Sequence, residues 1–460
     1  MRVIVIILPR GEAIRNFLYS GIVRKLNSEF KIILISIKPN EAIWQLLQSN
    51  SDVLIELKSN QFLYAYRLFF EIYDLAHNRY VWSEAAKVRW RMRDVEAKTQ
   101  KDKIFRFLKK LIARCLANRI SLQILDRIDF RMASLEPSVN EWVSTLKKYK
   151  IDLVFNSSHS HARNALPVVY AAKKLNIKTC TFLFSWDNLT SQGRVVPVYN
   201  YYFAWNNSIK GDFNEMYPNV PRQNVFVTGT PQFIGHFDKT NHLSYADVRD
   251  TLGLESNEQY FLYSSGMSHH LPEEPYVVAR IADIIKSIGP NYRLVVRTYA
   301  KDRFDVFEKL KFERPDIIIP EVRWEKNFQT PLIEDQVFFS SLLKHCIAGI
   351  NVASTISLEL CMFDKPAINV AYNPPGKDIS PYNYTRFYSF DHYKPIVESK
   401  AVELAENENQ MLDLLKKAIE NPESRKKERA ELIHSFFGNK LDEGIADEFV
   451  NVFKRLLKDA

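Results

Sequence analysis

Two hydroxyl residues, Ser354 and Thr355, stand at a predicted turn between a buried strand and a helix. The strand is the apolar run 346–352, and the helix ends at Lys365–Pro366, where proline interrupts the pattern. The start of a helix has unpaired N–H groups and a positive dipole end, so this turn can bind a phosphate. Glu359 lies about one helical turn further along. A simple N-cap role for either hydroxyl is the alternative.

Two histidines and one aspartate in the first half of the chain could exchange protons. His159 and His161 alternate in a polar loop after a predicted strand, and Asp187 follows the apolar run 179–184. A carboxylate beside an indole, here that of Trp186, can take a proton from a hydroxyl. Solvated loop histidines and a turn-forming Asp-Asn pair are the alternatives.

Metal and cofactor motifs do not accompany these residues. No cysteine or acid has metal-ligand spacing with the two histidines, and the chain has no Asp-x-Asp. Only 13 of the 460 residues are glycine, and G-x-G-x-x-G, P-loop and G-x-S-x-G motifs are absent. The sequence therefore predicts no metal and no bound cofactor, and it favours a base or hydrogen-bonding role for one of the histidines.

Strand ends of the second half carry two more candidate groups. Ser264, Ser265 and Gly266 follow the apolar run 260–263, and Arg297 ends a second run. A planar guanidinium pairs well with a phosphate. An ordinary salt bridge is the alternative for Arg297.

The elements that position these residues alternate between strand and helix, which predicts two doubly wound, Rossmann-like α/β domains. We predict a first domain at 1–236, a second at 237–440, and a C-terminal helix at 441–460 that returns to the first. Residues 60–150 contain one proline and no glycine, which predicts a helical insertion in the first domain. Ligands are expected outside the carboxyl ends of the strands and in the cleft between the domains.

Charge is concentrated in this insertion. Residues 87–119 contain twelve Lys or Arg and three acids, a balance of +9 that equals the net charge of the whole chain. Within it, the segment 101–116 has a helical stripe of apolar residues flanked by bases. Such a helix can lie on an anionic bilayer, and a core-facing helix with solvated charges is the alternative. The predicted contact residues are Lys103, Arg106, Lys109 and Lys110.

Four cysteines without paired spacing indicate a reducing compartment. No apolar run is long enough to span a bilayer. These features predict a cytoplasmic protein, peripheral on the inner face of the cytoplasmic membrane.

Several longer runs resemble a known class of enzymes. The run Ser-Trp-Asp-Asn-Leu-Thr-Ser-Gln-Gly at 185–193, with 203–206 and 227–233, resembles bacterial surface-polysaccharide transferases of the GT-B architecture. The run 348–369 resembles the donor-binding turn shared by GT-B enzymes and, distantly, by the glycerophosphotransferases of teichoic acid synthesis. The run 414–449 is similar to the closing region of the same enzymes.

This resemblance implies a metal-independent glycosyltransferase that uses a nucleotide-sugar donor in surface-polysaccharide (lipopolysaccharide or capsule) biosynthesis. Asp187, placed slightly ahead of His159 and His161, would supply the base. Many retaining members have a Glu-x₇-Glu pattern, whereas this chain has Asn351 eight residues before Glu359, which favours inversion. The implied donor site consists of Ser264, Ser265, Gly266, Arg297, Ser354 and Thr355 around the diphosphate, and Glu359 near the ribose.

The implied partners are the donor, a glycan or lipid-linked glycan acceptor and an anionic membrane surface, without nucleic acid. Three other functions remain open. A nucleotide-sugar 2-epimerase has a similar two-domain layout but does not need the basic insertion. A CDP-alcohol-dependent glycerophosphotransferase would share the donor turn and the membrane association. A non-catalytic carbohydrate-binding protein is the third.

Overall fold

The computed structural model describes residues 1–58, 62–95, 97–238, 242–301, 305–438, 441–442 and 444–458. These residues form two compact units. Unit 1 comprises Met1–Ile234, Glu325–Thr330 and the described residues after position 440. Unit 2 comprises the described residues of Gly235–Trp324 and Pro331–Asn439.

Unit 1 contains a sheet of seven parallel strands in the order β3-β2-β1-β4-β5-β6-β7. Its central strands are short apolar runs that are buried on both faces, as a parallel sheet covered by helices requires. The strands are β1 (Val3–Leu8), β2 (Lys31–Ser36), β3 (Val53–Glu56), β4 (Leu153–Asn156), β5 (Lys178–Phe182), β6 (Tyr201–Ala204) and β7 (Val225–Val227).

Eleven α-helices accompany this sheet within the described residues before position 234. Five consecutive ones, the fourth to the eighth, separate β3 from β4 and form the predicted helical insertion. The helices are α1 (Gly11–Ile14), α2 (Ile22–Asn27), α3 (Glu41–Ser49), α4 (Tyr64–Val81), α5 (Glu84–Val95), α6 (Gln100–Leu116), α7 (Arg119–Ala133), α8 (Pro137–Leu146), α9 (Leu166–Lys174), α10 (Asn188–Ser191) and α11 (Asn207–Met216).

The segment after β1 departs from a regular helix. A continuous helix is predicted from residue 13 to 26, but the structure has α1, a π-helical turn at Arg15–Tyr19 and then α2. Gly21 separates the last two with a φ of +76°, which favours glycine. Single π turns are frequent at functional sites, and this one directly follows the first strand-end loop.

The core of unit 1 includes a cluster of aromatic rings from the sheet and from the last helix. Phe155 and Phe203 of the sheet pack edge-on against Phe449 and Phe453, with ring centroids 5.3–6.3 Å apart. Both latter residues belong to α21 (Gly444–Lys458), which is amphipathic. The last helix is therefore an integral layer of unit 1.

Unit 2 contains a sheet of six strands in the order β10-β9-β8-β13-β14-β15, and each strand pair with a defined register is parallel. An apolar core of strand and helix side chains surrounds it. The strands are β8 (Gln259–Ser264), β9 (Tyr292–Arg297), β10 (Ile317–Ile318), β13 (Gly349–Asn351), β14 (Ala367–Val370) and β15 (Val402–Ala405), and β11 (Trp324–Glu325) pairs separately with β12 (Thr330–Pro331).

The helices after β7 cover this second sheet, apart from α21. They are α12 (Ile234–Phe237), α13 (Tyr245–Leu252), α14 (Glu274–Ile288), α15 (Asp305–Glu313), α16 (Ile333–His345), α17 (Ile356–Met362), α18 (Lys394–Glu398), α19 (Glu408–Glu420) and α20 (Lys426–Phe437). The predicted fold class, two doubly wound domains with a helical insertion in the first, is confirmed.

A buried carboxyl group links the insertion to the sheet domain. Asp129 of α7 is 1% exposed and accepts hydrogen bonds from the hydroxyls of Tyr66 on α4 (2.8 Å) and Tyr170 on α9 (2.5 Å). Burial raises the pKa of Asp129 from 3.8 to about 6, although both tyrosine hydrogen bonds oppose that shift.

This raised pKa predicts a pH-dependent stability. The folded protein binds the Asp129 proton more tightly than the unfolded chain, so the stabilisation is lost as the pH rises through about 6. Between pH 5 and pH 8 this group should remove about 1.5 kcal/mol of the free energy of unfolding. Asp129→Asn cannot ionise, so urea titrations of the variant should lack this component. Parallel pH profiles of the two proteins would contradict the assignment.

Candidate active site

The sheet of unit 1 has its topological switch point between β1 and β4, which lie side by side. Open α/β sheets bind ligands outside the carboxyl ends of the strands at such points. The loop after β1 contributes Arg10, whose guanidinium donates to both carboxylate oxygens of Glu12 (2.9 and 2.6 Å). It also lies 3.5 Å from the carbonyl oxygen of Ser160 in the loop after β4. The two loops are therefore joined at the switch point.

His159 lies in the same loop after β4 and has one ring nitrogen held and one unpartnered. Its Nδ1 lies 3.1 Å from the carbonyl oxygen of Phe182 and 3.2 Å from the amide nitrogen of Phe184. Its Nε2 is buried and has no hydrogen-bond partner among the described residues. In the tautomer in which Nδ1–H donates to the Phe182 carbonyl, Nε2 has a free lone pair. In the other tautomer, Nδ1 accepts the amide N–H of Phe184 and Nε2 carries the proton.

Burial keeps this imidazole neutral. Loss of solvation lowers the pKa of His159 to about 4, and electrostatic interactions with His161 and Arg10 act in the same direction. The Phe182 carbonyl and Asp187 oppose the shift. In the tautomer with the proton on Nδ1, the neutral imidazole can accept a proton from a ligand hydroxyl at Nε2.

Asp187 is engaged within its own turn. One carboxylate oxygen accepts the Ser185 hydroxyl and the Asn188 amide (3.3 Å), and the other accepts the Ser191 hydroxyl (2.8 Å). Its backbone carbonyl also accepts the Ser191 amide N–H at 2.9 Å. Asp187 therefore forms the predicted turn, and its Oδ2 keeps acceptor capacity because it accepts only the Ser191 hydroxyl among the described residues.

His161 is exposed, in contrast to His159. Its φ of +53° is uncommon for a non-glycine residue. It stands two residues after His159 in the same loop.

The loop after β1 is a site component that we did not identify from sequence. A Cβ atom at Gly11 would lie 2.6 Å from the carbonyl oxygen of Gln329, so this close approach requires glycine. Gln329 belongs to the loop Glu325–Thr330, in which the buried Glu325 accepts the amide N–H groups of Asn327 and Phe328 (both 2.9 Å). The Pro-Arg-Gly-Glu run after the first strand was the available signal.

Unit 2 has its own switch point, between β8 and β13. Tyr263 pairs with Ile350, so Ser264 and Asn351 come next on neighbouring strands, at the carboxyl edge. The Ser264 hydroxyl and the Asn351 side-chain amide nitrogen are both buried, and neither has a hydrogen-bond partner among the described residues. Buried polar groups are normally paired with protein, water or ligand, which makes these two atoms candidate contacts for a polar ligand.

The neighbouring residues of the β8 loop are held by local hydrogen bonds. The Ser265 hydroxyl accepts the amide N–H of Tyr299 at 2.8 Å. The amide N–H of Gly266 donates to Glu274, with N–O distances of 3.0 and 3.3 Å. Both loop residues are thus fixed beside Ser264.

Ser354 lies in the turn before α17. Its hydroxyl donates to Asn351 Oδ1 (3.1 Å) and accepts the amide N–H of Ile356 (3.2 Å). Thr355 follows it and is partly exposed at the same edge. The N-cap residue of α17 is Thr355, which makes no side-chain cap hydrogen bond, and Ser354 stabilises the turn before it, beside the unpartnered Asn351 amide.

Arg297 at the end of β9 is committed to a buried ion pair. Its guanidinium donates to both carboxylate oxygens of Asp335, with one N–O distance of 3.0 Å, and both side chains are less than 10% exposed. Asp335 also accepts the amide N–H of Arg323 and the indole N–H of Trp324, each at 2.9 Å. The salt-bridge alternative is thus the arrangement observed for Arg297.

Glu359 is held by a histidine that sequence reasoning missed. Its Oε2 lies 2.8 Å from His236 Nε2, and His236 Nδ1 lies 2.7 Å from the Ser340 hydroxyl. His236 stands 123 residues from Glu359, and no short-range pattern connects them. The arrangement fixes the carboxylate one turn after Thr355.

The four residues of α6 that were predicted to contact a membrane do not share one environment. Lys103 is exposed. Lys110 is buried and pairs with Asp94, Arg106 also pairs with Asp94, and Lys109 pairs with Glu71. In the described part of the chain, no helix is long and apolar enough to cross a bilayer. The same residues contain no group of three or more His, Cys, Asp or Glu side chains placed to hold a metal.

Comparisons with known proteins give structural matches only. No protein-family model and no curated protein matches the sequence. The structure is similar to UDP-GlcNAc 2-epimerase from Neisseria meningitidis bound to UDP-GlcNAc, with a TM-score of 0.54, 12% identity and all of both chains covered.

Two further structures match with a similar TM-score and similar coverage. A glycosyltransferase from Rickettsia africae gives a TM-score of 0.54 at 13% identity, covering 100% of this chain and 99% of that chain. The MnaA–UDP structure from S. aureus gives 0.56 at 13% identity, covering 100% and 97%. At these identities the likeness establishes the fold, which is of the GT-B type, and not the reaction.

Proposed function

We propose that the protein is a nucleotide-sugar-dependent enzyme whose unit 2 binds the nucleotide diphosphate at the β8–β13 switch point. The observation that carries this proposal is the pair of unpartnered buried groups there, on Ser264 and Asn351. Two of the compared structures are complexes with UDP or UDP-GlcNAc, which supports the ligand class. The diphosphate would lie beside Ser264, Ser265, Gly266, Ser354 and Thr355, with Glu359 near the ribose.

Glycosyl transfer is the reaction that the geometry of unit 1 favours. The oxygen of an acceptor hydroxyl would attack the anomeric carbon, the bond from that carbon to the diphosphate would break, and the hydroxyl proton would pass to a base. With its proton on Nδ1, His159 has a basic and unpartnered Nε2, whereas the Asp187 carboxylate already accepts three hydrogen bonds. We therefore place His159 ahead of Asp187, and direct displacement would invert the anomeric centre.

The acceptor class follows from the sequence resemblance and from the surface of the insertion. A glycan or lipid-linked glycan of surface-polysaccharide synthesis would supply the hydroxyl. The outward apolar face of α6, described below, is compatible with an acceptor that lies in a membrane.

Nucleotide-sugar 2-epimerisation is the second candidate, and the comparisons favour it over transfer. Several of the matching structures are titled UDP-GlcNAc 2-epimerase, against the one titled glycosyltransferase that is described above. Epimerisation at C2 requires that the C2 proton be removed from one face of the sugar and returned to the other.

One experiment separates these reactions. The protein is incubated with UDP-GlcNAc and with other UDP-, GDP-, CDP- and dTDP-sugars in D₂O, without an acceptor, and followed by proton NMR. An epimerase incorporates deuterium at C2 and forms the C2 epimer. A transferase leaves C2 protonated and releases the nucleotide diphosphate when acceptor glycans are added. Turnover of a CDP-alcohol, or binding without turnover, would overturn both candidates.

Ser264→Ala tests the nucleotide site through two opposite effects. Removing a buried, unpartnered hydroxyl should leave the folded protein unchanged or more stable, by up to about 1 kcal/mol. Losing a hydrogen bond to a charged phosphate should weaken nucleotide-sugar binding by about 1.5–3 kcal/mol, roughly tenfold or more. Thermal denaturation and calorimetric titration measure the two effects.

Two further variants complete this test. Thr355→Val should weaken binding by about 1–2 kcal/mol for the same reason. Thr251→Val, in α13, provides the control because Thr251 is exposed and its hydroxyl donates only within its own helix. Equal nucleotide affinity in Ser264→Ala and the wild type would remove the diphosphate from this switch point.

A further inference from the structure

The apolar stripe of α6 faces away from the protein. Phe107 is 60% exposed and Ile104 is 59% exposed, and the other large apolar residues of the stripe are also exposed. Residues three or four apart on a helix lie on the same face, so these side chains form one continuous strip along about three turns. The strip consists of Ile104, Phe105, Phe107, Leu108, Leu111 and Ile112.

The opposite face of α6 carries the small and basic residues that pack on the protein. Ala113 is fully buried, and the Lys110 ammonium donates to the carbonyl oxygen of Trp90 at 2.9 Å. Lys110 also pairs with Asp94, and Lys109 pairs with Glu71. The helix is thus inverted relative to an ordinary surface helix, with cations inward and apolar side chains outward.

Local sequence signals fix this helix independently of its apolar face. Thr99 caps it, because its hydroxyl accepts the amide N–H of Asp102 (3.1 Å) and its own amide N–H donates to the Asp102 carboxylate (3.3 Å). Such a capping box stabilises the first turn. The outward strip is therefore carried by a well-defined helix.

Exposed cations border the strip. Lys103 and Arg114 are exposed and stand eleven residues apart, which is three helical turns, so both lie along the same edge. Neither forms an ion pair within the described ranges, unlike the three inward cations of the helix. Lys101 is exposed at the first turn. Exposed cations therefore lie at the first turn of the helix and along one edge of the strip.

We propose that α6 is an interfacial helix that docks the protein on an anionic lipid bilayer. Its apolar strip would enter the boundary between headgroups and acyl chains, and Lys101, Lys103 and Arg114 would contact the anionic headgroups. The apolar strip and its cationic border together fit this occupant, because a neutral protein surface would leave the cations without partners. The inference needs no nucleotide sugar and goes beyond the proposed activity.

Liposome sedimentation of the full chain tests the docking. Wild-type protein should sediment with vesicles of phosphatidylglycerol and phosphatidylcholine at low salt, and binding should weaken as the salt concentration rises. Pure phosphatidylcholine vesicles should bind less. Phe107→Glu combined with Leu111→Glu should lower partitioning at least tenfold. Phe312→Glu is the matched control, because Phe312 is 89% exposed on α15 of unit 2.

Reversing the charge of the exposed cations beside the strip is the second part of the sedimentation experiment. Lys103→Glu with Arg114→Glu should lower binding to anionic vesicles about tenfold or more. The control pair is Lys311→Glu with Lys416→Glu, which are exposed residues of unit 2. Arg106, Lys109 and Lys110 are left intact, because their inward ion pairs hold the helix in place.

Three results would overturn the docking. The first is wild-type protein that stays in the supernatant with anionic vesicles at low salt. The second is a strip variant that sediments as well as Phe312→Glu. The third is a wild-type dimer in ultracentrifugation that the strip variant converts to a monomer, without lipid binding, because the occupant is then a second copy. Nucleotide binding measured without lipid reports separately on the proposed function.

Discussion

His159→Gln is expected to lower kcat by about two to four orders of magnitude, with nucleotide-sugar affinity unchanged. Glutamine can keep a hydrogen bond to the Phe182 carbonyl, so the loop after β4 should retain its conformation. It cannot supply the basic lone pair that His159 Nε2 presents. The donor affinity should survive because the proposed diphosphate site lies in unit 2, whereas His159 lies in unit 1.

The pH profile provides an independent readout of the same residue. The pKa of His159 is lowered to about 4, so the imidazole stays neutral and basic well below pH 6.5. The acidic limb of kcat/KM should therefore lie near pH 4–5, and His159→Gln should lose it. The folded state binds this proton less tightly than the unfolded chain, so stability also decreases as the pH falls from about 6.5 towards 4. The profile must be confined to pH values at which the protein is folded.

Two neighbouring substitutions serve as controls. His161→Gln should retain activity within a few-fold, because its side chain is exposed. Asp187→Asn should lower stability through the loss of hydrogen bonds in its turn. Loss of about a hundredfold in kcat in a folded Asp187→Asn protein, with near-normal turnover in His159→Gln, would transfer the role of base to Asp187.

Asp335→Ala is expected to destabilise the protein by about 3–5 kcal/mol. The change leaves the Arg297 guanidinium buried without its partner, and it also removes the acceptor of the Arg323 and Trp324 N–H groups. An uncompensated buried charge accounts for most of this cost. Urea denaturation measures the difference in the free energy of unfolding.

An exposed ion pair of the same geometry provides the control. Arg280 donates to both carboxylate oxygens of Glu408, at 2.8 and 2.7 Å, but its side chain is 45% exposed. Glu408→Ala should therefore cost at most about 1 kcal/mol. Replacing both members of the buried pair, with Arg297→Met and Asp335→Leu, should restore much of the stability because no charge remains unpaired.

Nucleotide binding by the Arg297→Met, Asp335→Leu double variant also decides whether Arg297 serves as a phosphate ligand. If Arg297 is structural, the double replacement should keep nucleotide-sugar affinity within a few-fold of the wild type. A folded double variant that has lost nucleotide binding would assign the guanidinium to the donor site.

Much of the fold could be predicted from local sequence, since apolar runs of four to six residues alternate with helical patterns. That alternation is a short-range property and dictates two parallel sheets covered by helices. The absence of glycine and the single proline between β3 and β4 predicted the helical insertion in the same way. Because polar residues that follow parallel strands meet at one edge, the sequence also placed Ser264, Ser354 and His159 at strand ends.

Ion pairs and hydrogen bonds between side chains that are far apart in the sequence could not be predicted in this way. Arg297 and Asp335 are 38 residues apart, and Glu359 and His236 are 123 residues apart. Either arginine pairing, with phosphate or with carboxylate, satisfies the same local pattern. The unpartnered nitrogen of His159 likewise depends on which carbonyl the fold brings to Nδ1.

Which face of α6 points outward is also a property of the tertiary structure alone. Helical periodicity places Ile104, Leu108 and Leu111 on one face, but it is equally compatible with that face being buried or exposed. The acidic partners Asp94 and Glu71, on two other helices of the insertion, hold the cationic face inward. The sequence alone therefore determined that α6 is amphipathic, whereas the packing of α6 on its neighbours decided that the apolar face is exposed.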